Sequence, residues 1–512
     1  MLAIDLGTGG PKVGLVSMAG AIAWHEHTSV PTELGPDGAA TQDAALWWNV
    51  IRDSARRALA SGEVDPSTVV AVSCTGQWAS TVPVDERGAP VGPCQLWSDT
   101  RGAPHSRGVI AGPVAGYDPI AALRWIRRSG GAPSTSGADP IGHILHLERD
   151  EPDVARAARW YLEPVDYLSM RFCGRAAATP ASMAGAWLTD NRRPDVLAYD
   201  PVLVRTSGVP IDKLPPLVAT ASVVGNVLPA VAADLGLPAG VQVVAGTPDL
   251  HSACVGSGAV LAFQPHVTIS TTSWISCPFP KKKTDPFRQM ATVPGVLPGL
   301  RLVANNQESG GRALEWFRDA LATTGDPAQA LLTYDDLTAL AATAAPGSGR
   351  VVFTPWLAGE RSPIDDRSAR GGFHNLSLRT GRADLARAVL EGVALNSRWL
   401  ADGVEHFVGR PLGAFRAIGG GASSPLWCSI YASVLGRTIE QVSEPLLANL
   451  RGAGLIAGLT LGALRAEEVQ DLVPIAAVHQ PDPGDTAVYD QLFAEFPKLY
   501  RAQKGMFARL AR

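Results

Sequence analysis

An aspartate beside a glycine-rich turn opens the chain. Asp5 ends a short apolar run, and a second apolar run follows the turn at residues 7–10, which is the pattern of a β-hairpin. The tip carries little side-chain bulk, so its backbone N–H groups can approach an oxyanion such as a phosphate. A carboxylate next to such a cradle is a place where hydrated Mg²⁺ can bridge protein and nucleotide. The pattern suggests phosphoryl transfer, with an ordinary tight hairpin as the alternative.

A second candidate phosphate site is a strand that runs into glycines and then into a helix. A predicted strand at 414–418 precedes Gly419-Gly420-Gly421, and Pro425 to Leu435 is a predicted helix with Ser424 as its N-cap. Backbone N–H groups at such a turn can hold a phosphate or a nucleotide. A flexible turn is the alternative interpretation.

The elements that must position these groups alternate between strands and helices. A second start near residue 241 repeats the opening pattern of strand, short polar turn and strand, which suggests an internal duplication of architecture. The hydrophobic periodicity predicts strands at 69–73, 160–162 and 241–245, a hairpin at 267–276, helices at 43–60, 143–160 and 384–408, and an exposed loop at 128–140.

Length and composition narrow the function classes. With 512 residues the chain is too long for one core, so we expect two large domains, residues 1–246 and 247–512. The net charge of −4 provides no bulk attraction to nucleic acid or to an anionic membrane. The six cysteines form no C-x-x-C pair, and no segment has the pattern of a signal peptide or a membrane span. The expected compartment is therefore the cytoplasm.

Two other patterns predict structure rather than chemistry. His143 and His146 lie three apart on a predicted helix, which is typical of a solvated face, and no third metal ligand is evident. The glycines of residues 452–458 resemble a dinucleotide fingerprint, but they lack the strand–turn–helix context and favour close helix packing.

Taken together, the motifs resemble the FGGY family of carbohydrate kinases over nearly the whole chain, and within it xylulokinases most. The matching segments are Asp5-Leu6-Gly7-Thr8 with Lys12, Cys74-Thr75-Gly76-Gln77, Leu96-Trp97-Ser98-Asp99-Thr100-Arg101, Gly246-Thr247-Pro248-Asp249, the segment 354–363, Gly371-Gly372-Phe373-His374 and Gly419-Gly420-Gly421-Ala422. The resemblance implies an α/β fold of the two-domain actin/hexokinase (ribonuclease H-like) type, with an ATP and sugar cleft between the domains.

The resemblance also implies a reaction and a set of roles. The reaction is ATP-dependent phosphorylation of a hydroxyl on a small sugar or polyol, and a ketopentose such as D-xylulose is favoured. Asp249 would be the general base, since a hydroxyl is a poor nucleophile until a base accepts its proton. Asp5 and Asp249 would hold Mg²⁺. The nucleotide would be held by Asp5, Thr8, Gly9, Lys12, Thr271, Gly311, Gly420 and Gly421, and the sugar by Gln77, Trp78, Asp99, Arg101 and Asp249.

Some of these roles have structural alternatives. Asp249 could be a helix-capping aspartate, Asp99 and Arg101 could be an ion pair, and Trp78 could belong to the core rather than stack on a sugar. The resemblance also leaves a homodimer possible, although no interface pattern is readable.

The chain departs from the family pattern at several positions. Gly9 stands where Ser or Thr is usual, and the second phosphate loop reads Ser270-Thr271-Thr272-Ser273 in place of Gly-Thr-Ser-Gly. Non-glycine residues there would cost energy or reshape the turn if it needs positive φ. Trp78-Ala79 and Leu250 are apolar where polar side chains are common, which would redirect substrate choice. A catalytically silent, ligand-binding or regulatory relative is therefore the alternative function.

Overall fold

The computed structural model describes residues 1–321 and 332–511. The first half of the chain builds a mixed sheet and a helical lobe. Its strands are β1 (Leu2–Gly7), β2 (Gly10–Val16), β3 (Ile22–His27), β4 (Glu33–Leu34), β5 (Ala40–Gln42), β6 (Ala71–Gly76), β7 (Val82–Val84), β8 (Cys94–Gln95), β9 (Ala111–Val114), β10 (Trp160–Leu162), β11 (Val223–Asn226), β12 (Gln242–Val244) and β13 (Thr247–Pro248). Its helices are α1 (Ala44–Ala60), α2 (Ala103–Ile110), α3 (Pro119–Arg128), α4 (Pro140–Asp150), α5 (Pro152–Ala157), α6 (Pro164–Cys173), α7 (Pro201–Ser207), α8 (Pro229–Leu235) and α9 (Asp249–Gly256).

The second half builds another mixed sheet flanked by long helices. Its strands are β14 (His266–Ile269), β15 (Ser273–Ser276), β16 (Pro278–Phe279), β17 (Thr284–Asp285), β18 (Met290–Pro294), β19 (Arg301–Ala304), β20 (Val352–Thr354), β21 (Gly372–His374), β22 (Phe415–Ile418), β23 (Ile439–Val442) and β24 (Ile475–His479). Its helices are α10 (Arg312–Ala320), α11 (Tyr334–Ala342), α12 (Arg382–Val408), α13 (Pro425–Leu435), α14 (Ala448–Thr460), α15 (Ala466–Leu472) and α16 (Pro483–Leu510).

The two main sheets repeat one topology. The first has the order β11-β12-β6-β1-β2-β3, with the short β13 also paired to β6. The second has the order β15-β14-β22-β23-β24. In each sheet an antiparallel hairpin is followed by two parallel strands and an antiparallel edge strand. The duplication of architecture predicted from the sequence is therefore confirmed.

Local sequence signals account for most helix boundaries. Asp43 caps α1 through a hydrogen bond from the Ala45 N–H, and Ser424 caps α13 through one from the Trp427 N–H. The predicted helix 143–160 was too long: the chain forms two helices, and Pro152 opens the second because proline suits a first helical turn. The predicted loop 128–140 does lie between α3 and α4, but the prediction that it is exposed was wrong. Only Ser136 in this range is exposed, and Ser129 and Asp139 are buried because the loop packs against its neighbours.

Separate apolar cores fill the two halves and the lobe between β9 and α7. Five of the six cysteines are buried, and all six are free thiols. Among residues 1–321 and 332–511 we find no helix with the length and apolar character needed to cross a membrane.

Helix α14 joins the two halves through glycines. A Cβ on Gly452 would lie 2.0 Å from the Ser252 carbonyl oxygen in α9, and one on Gly256 would lie 1.8 Å from the Ala448 carbonyl oxygen. Gly454 in turn faces Val16 at the end of β2. The glycines at 452–458 therefore permit close packing, as the sequence predicted.

We expect Gly452→Ala to lower the free energy of unfolding by about 1–3 kcal/mol, because the added methyl group meets backbone rather than a movable side chain. Thermal unfolding monitored by circular dichroism measures the effect. Gly108→Ala is the matched control: Gly108 lies inside α2 with open space around it, so its unfolding temperature should stay equal or rise. Equal unfolding temperatures for the two variants would contradict the proposed packing.

Candidate active site

Asp5 lies near the carboxyl end of β1, in the middle of the first sheet. It is 3% exposed and stands beside Thr75 of the parallel neighbour β6. On the other side it faces Lys12 of β2, whose Nζ lies 3.2 Å from Asp5 Oδ2. Lys12 therefore balances the charge of Asp5, and its partly exposed side chain remains within reach of a ligand over the first loop.

Asp249 is brought to the same sheet edge by β13. Thr247 pairs with Thr75, so β1, β6 and β13 are in register. The Thr75 hydroxyl lies 2.8 Å from the Thr247 carbonyl oxygen and 2.7 Å from Ser252 Oγ in the first turns of α9. This contact fixes the start of α9, whose first residue is Asp249.

The electrostatic surroundings of Asp249 suit a proton acceptor. The residue is partly exposed, but its carboxylate is surrounded mainly by protein, and this burial raises its pKa to about 7. The charge of Asp5 raises the pKa further, while a hydrogen bond from the Leu250 N–H at 2.7 Å opposes the rise. Asp249 is the first residue of α9 and Pro248 is its N-cap, so the Asp249 side chain does not cap the helix.

The pair of carboxylates fits a hard divalent cation. Asp5 raises the pKa of Asp249, so the two negative charges repel each other across the sheet edge. A cation held by both would relieve that repulsion, and carboxylate oxygens are the ligands that Mg²⁺ takes from proteins. Asp5 and Asp249 could thus hold Mg²⁺ together with phosphate oxygens and water.

The first phosphate loop, residues 7–10, contacts the segment that is predicted to bind the sugar. Gly7 pairs with Gly10, which leaves Thr8 and Gly9 as a two-residue turn. Gly9 is exposed with open space around it. The Thr8 hydroxyl lies 3.2 Å from Gln77 Oε1, so a residue assigned to the nucleotide and one assigned to the sugar are in direct contact.

The second phosphate loop forms without the strain expected for its sequence. None of the four residues Ser270 to Ser273 has a positive φ. Two backbone hydrogen bonds from the residues just before α10 support the loop instead. The Gly310 N–H donates to the Thr271 carbonyl at 2.9 Å, and the Gly311 N–H donates to the Ser270 carbonyl at 2.5 Å. Thr271 is left exposed at the tip, where its hydroxyl can meet a phosphate.

The role of Gly311 is accordingly to support this loop, since a Cβ there would approach the Ser270 carbonyl oxygen to 3.0 Å. A groove of about 470 Å³ runs along α10 next to it, lined by Arg312, Trp316, Leu357 and Ala358 among others. Its aromatic and aliphatic side chains could accept a flat heterocycle.

The glycine triplet lies next to the second loop because β22 is parallel to β14. Gly419 has φ +88°, and a Cβ there would lie 2.7 Å from the Ile269 carbonyl oxygen. Gly421 packs against Ile269 and Trp427, so its missing side chain is required by packing. Gly420 is exposed and open, and it is the member of the triplet that a ligand could approach.

Asp99 and Arg101 form a bidentate ion pair. Asp99 is fully buried, and Arg101 Nη2 lies 2.7 Å from its Oδ2. Burial alone would raise the pKa of Asp99, but hydrogen bonds from Arg101 and from the Ala40 N–H hold it below its ordinary value. Asp99 thus positions Arg101, whose guanidinium is partly exposed. The pair leaves both the structural and the sugar-binding interpretations of Arg101 open.

Trp78 belongs to an apolar cluster at the junction of the halves. Its Nε1–H donates to the Ser182 carbonyl at 2.7 Å, and its ring meets His251 edge to face with centroids 6.3 Å apart. Leu250 joins the same cluster. Trp78 is only partly buried, so part of its side chain is open to a ligand.

Several residues that support the site were missed in the sequence. Gln42 donates to the Thr8 carbonyl at 2.7 Å and accepts from Gln77, and Trp97 Nε1 lies 3.3 Å from Thr8 Oγ1. Glu163 is buried, and its Oε2 accepts from the Ser80 N–H just after the positive-φ residue Ala79. Burial and the charge of Asp166 raise the pKa of Glu163 well above its usual value. These contacts join residues far apart in the chain. Trp97 lies in the segment Leu96 to Arg101 that resembles the family, but no local motif marks Gln42 or Glu163.

Comparison with known proteins agrees with this geometry. The N-terminal domain profile of the FGGY family of carbohydrate kinases matches residues 1–256, and the C-terminal domain profile matches residues 271–461. The chain belongs to this family. It is therefore a carbohydrate kinase with the two-domain FGGY fold, and FGGY kinases use ATP as phosphate donor.

Similar FGGY kinases carry different names. A xylulose kinase of Staphylococcus epidermidis is 25% identical and covers 100% of this chain and 98% of its own length. A gluconokinase of Bacillus subtilis is 25% identical and covers 100% of this chain and 97% of its own length. An autoinducer-2 kinase of Salmonella typhimurium is 26% identical and covers 99% of this chain and 95% of its own length. Among solved structures, a xylulose kinase from Rhodospirillum rubrum aligns with a TM-score of 0.85 at 26% identity, covering 99% of both chains. A gluconate kinase from Lactobacillus acidophilus aligns with a TM-score of 0.86 at 21% sequence identity, again covering 99% of both chains.

We expect Gly419→Ala to lower the unfolding temperature of this FGGY kinase and to weaken Mg-ATP binding, because both the left-handed backbone and the Ile269 carbonyl disfavour a Cβ; the cost should be about 1–3 kcal/mol. Thermal unfolding and titration calorimetry measure the two effects. Gly420→Ala is the matched control and should keep the wild-type unfolding temperature, since its Cβ would meet only a Leu446 methyl at 3.4 Å. Indistinguishable stabilities would show that the turn tolerates the change.

Proposed function

We propose that this protein phosphorylates a hydroxyl group of a small sugar or polyol with Mg-ATP as donor, and that the acceptor is a ketopentose such as D-xylulose. The single observation that carries the proposal is the convergence of Asp5 and Asp249 on one sheet edge, with Thr75 in register between them. The division of labour that we propose gives residues 1–246 the sugar and the first phosphate loop, and residues 247–512 the nucleotide.

In this mechanism Asp249 accepts the proton of the acceptor hydroxyl as that oxygen attacks the γ-phosphorus of ATP and the bond to the β-phosphate oxygen breaks. Thr8 in the first loop and Thr271 in the second donate hydrogen bonds to phosphate oxygens, and Lys12 adds positive charge beside the first loop. Mg²⁺ held by Asp5 and Asp249 would offset the negative charge of the phosphates.

The nucleotide would lie along the second half of the chain. Gly420 lets it approach bare backbone, and the groove beside Gly311 is suited to the adenine. On the acceptor side, Gln77 and Arg101 supply polar groups and Trp78 supplies an aromatic face for C–H bonds of the sugar. Support for a ketopentose comes from the xylulose kinases among the relatives. Relatives that act on gluconate and on autoinducer-2 define the other acceptors to test.

Asp249→Asn should fold and bind ATP but lose turnover by about 10²–10⁴-fold, the usual contribution of a general base. An assay that couples ADP release to NADH oxidation measures turnover with D-xylulose, other ketoses, gluconate, pentitols and glycerol. Asp402→Asn is the matched control, because Asp402 is an exposed carboxylate on α12. Full activity of Asp249→Asn on the best acceptor would sink the proposed mechanism.

The same assay, together with thermal unfolding, distinguishes an active kinase from the alternative, a catalytically silent relative. A catalytically silent relative would show no ADP release with any acceptor and no thermal stabilisation by Mg-ATP. Stabilisation by Mg-ATP that is lost in Asp5→Asn would support the kinase and the proposed cation site together.

A further inference from the structure

Three metal-ligating side chains meet between α2 and α4. His146 and Asp150 lie one turn apart on the same face of α4, and His105 comes from α2. One ligand atom from each lies within 4.8 Å of the others. His105 Nε2 and His146 Nδ1 lie 2.5 Å and 2.9 Å from the same oxygen, Asp150 Oδ2.

This cluster corrects the prediction from the sequence. His143 and His146 do not line a solvated face, since they are only 0% and 8% exposed. The two histidines also differ in their contacts. His143 Nδ1 lies 3.3 Å from Thr81 Oγ1 and its Nε2 lies 3.3 Å from the Asp99 carbonyl oxygen, whereas His146 Nδ1 contacts Asp150. The missing third ligand is His105, which is remote in sequence and so gave no spacing signal.

The charge balance around Asp150 favours a cation. Asp150 is the last residue of α4, where the negative end of the helix dipole disfavours a carboxylate. Two of its three acidic neighbours have cationic partners of their own: Glu148 pairs with Lys213 at 2.6 Å, and Asp153 pairs with Arg156. Within the part of the chain that the structure describes, the ion-pair partners of Asp150 are the two imidazoles.

We propose that His105, His146 and Asp150 bind a divalent transition-metal ion of the Zn²⁺ class. Two imidazole nitrogens and one carboxylate oxygen suit such ions, whereas Mg²⁺ and Ca²⁺ take oxygen ligands. Metal–ligand bonds of about 2.0–2.2 Å require the ligand atoms to move slightly apart from their present spacing. The Asp150 side chain is 45% exposed, so it can make that movement and leaves room for water as a further ligand.

The consequence of binding is a link between two elements of the lobe. Helix α2 follows directly after the Asp99–Arg101 ion pair, and α4 contacts the Asp99 carbonyl oxygen through His143. A metal ion that joins α2 to α4 therefore stabilises the framework around that pair. This role is independent of the proposed substrate and of the phosphate chemistry.

The rival arrangement is a hydrogen-bonded triad without metal. Arg149 Nη1 lies 3.4 Å from His105 Nδ1. If Arg149 donates to that nitrogen, the proton of a neutral His105 is on Nε2 and points at Asp150, which leaves no lone pair for a metal. The two arrangements make opposite predictions for metal binding.

The test is a Co²⁺ titration of the full chain after chelator treatment, without nucleotide, followed by visible absorption. A low-coordinate site with nitrogen ligands gives intense bands, whereas an all-oxygen octahedral site gives weak ones. We expect intense bands that saturate at one equivalent and that Zn²⁺ abolishes, and Zn²⁺ should raise the unfolding temperature.

Variants assign the bands to this cluster. Asp150→Asn and His105→Gln should each weaken Co²⁺ affinity at least about tenfold, since even the loss of an outer-shell partner has an effect of that size. His406→Gln is the matched control, an exposed histidine on α12 that should leave the titration unchanged. Circular dichroism confirms that each variant folds. The proposal is overturned if no intense band appears, or if both cluster variants bind Co²⁺ as the wild type does.

Discussion

The structure depends on one strand, β6, and in particular on its parallel pairing with β1 and with β13. Its register with β1 places Thr75 beside Asp5, and its register with β13 places the same Thr75 beside Thr247, just before Asp249. Thr75 also bonds to Ser252 and so fixes the direction in which α9 leaves the sheet. A slip of one residue in either pairing would turn a whole strand's side chains to the opposite face. The two carboxylates therefore remain together only while this register holds.

The second sheet has the same arrangement of strands on the side where we propose that the nucleotide binds. Because β14 and β22 are parallel neighbours, the Ser270–Ser273 turn and the glycine triplet emerge at one edge. Helix α14 then packs through its glycines against α9, which carries Asp249. The two halves of the site are thus connected by close packing of one helix backbone against another. Such packing leaves little room for the two halves to move relative to each other.

Much of this arrangement was predictable from the sequence because its signals are local. The hairpins, the cap at Ser424 and the packing role of the residue 452–458 glycines each depend on a few adjacent residues. The burial of His143 and the contacts of Thr8 with Gln77 and Trp97 depend on residues far apart in the chain. No spacing rule contains that information. The second phosphate loop differed for another reason: support from Gly310 and Gly311 lets non-glycine residues form the turn at negative φ.

The central claim is that Asp5 and Asp249 act on one reaction centre. A double-mutant cycle with Asp5→Asn, Asp249→Asn and the double variant measures this directly from kcat/KM on the best acceptor. The structure predicts that the double variant loses less activity than the product of the single losses, with a coupling energy of at least about 0.5 kcal/mol, as for residues that share partners. Additive losses, typical of residues more than about 7–10 Å apart without shared partners, would contradict a common site.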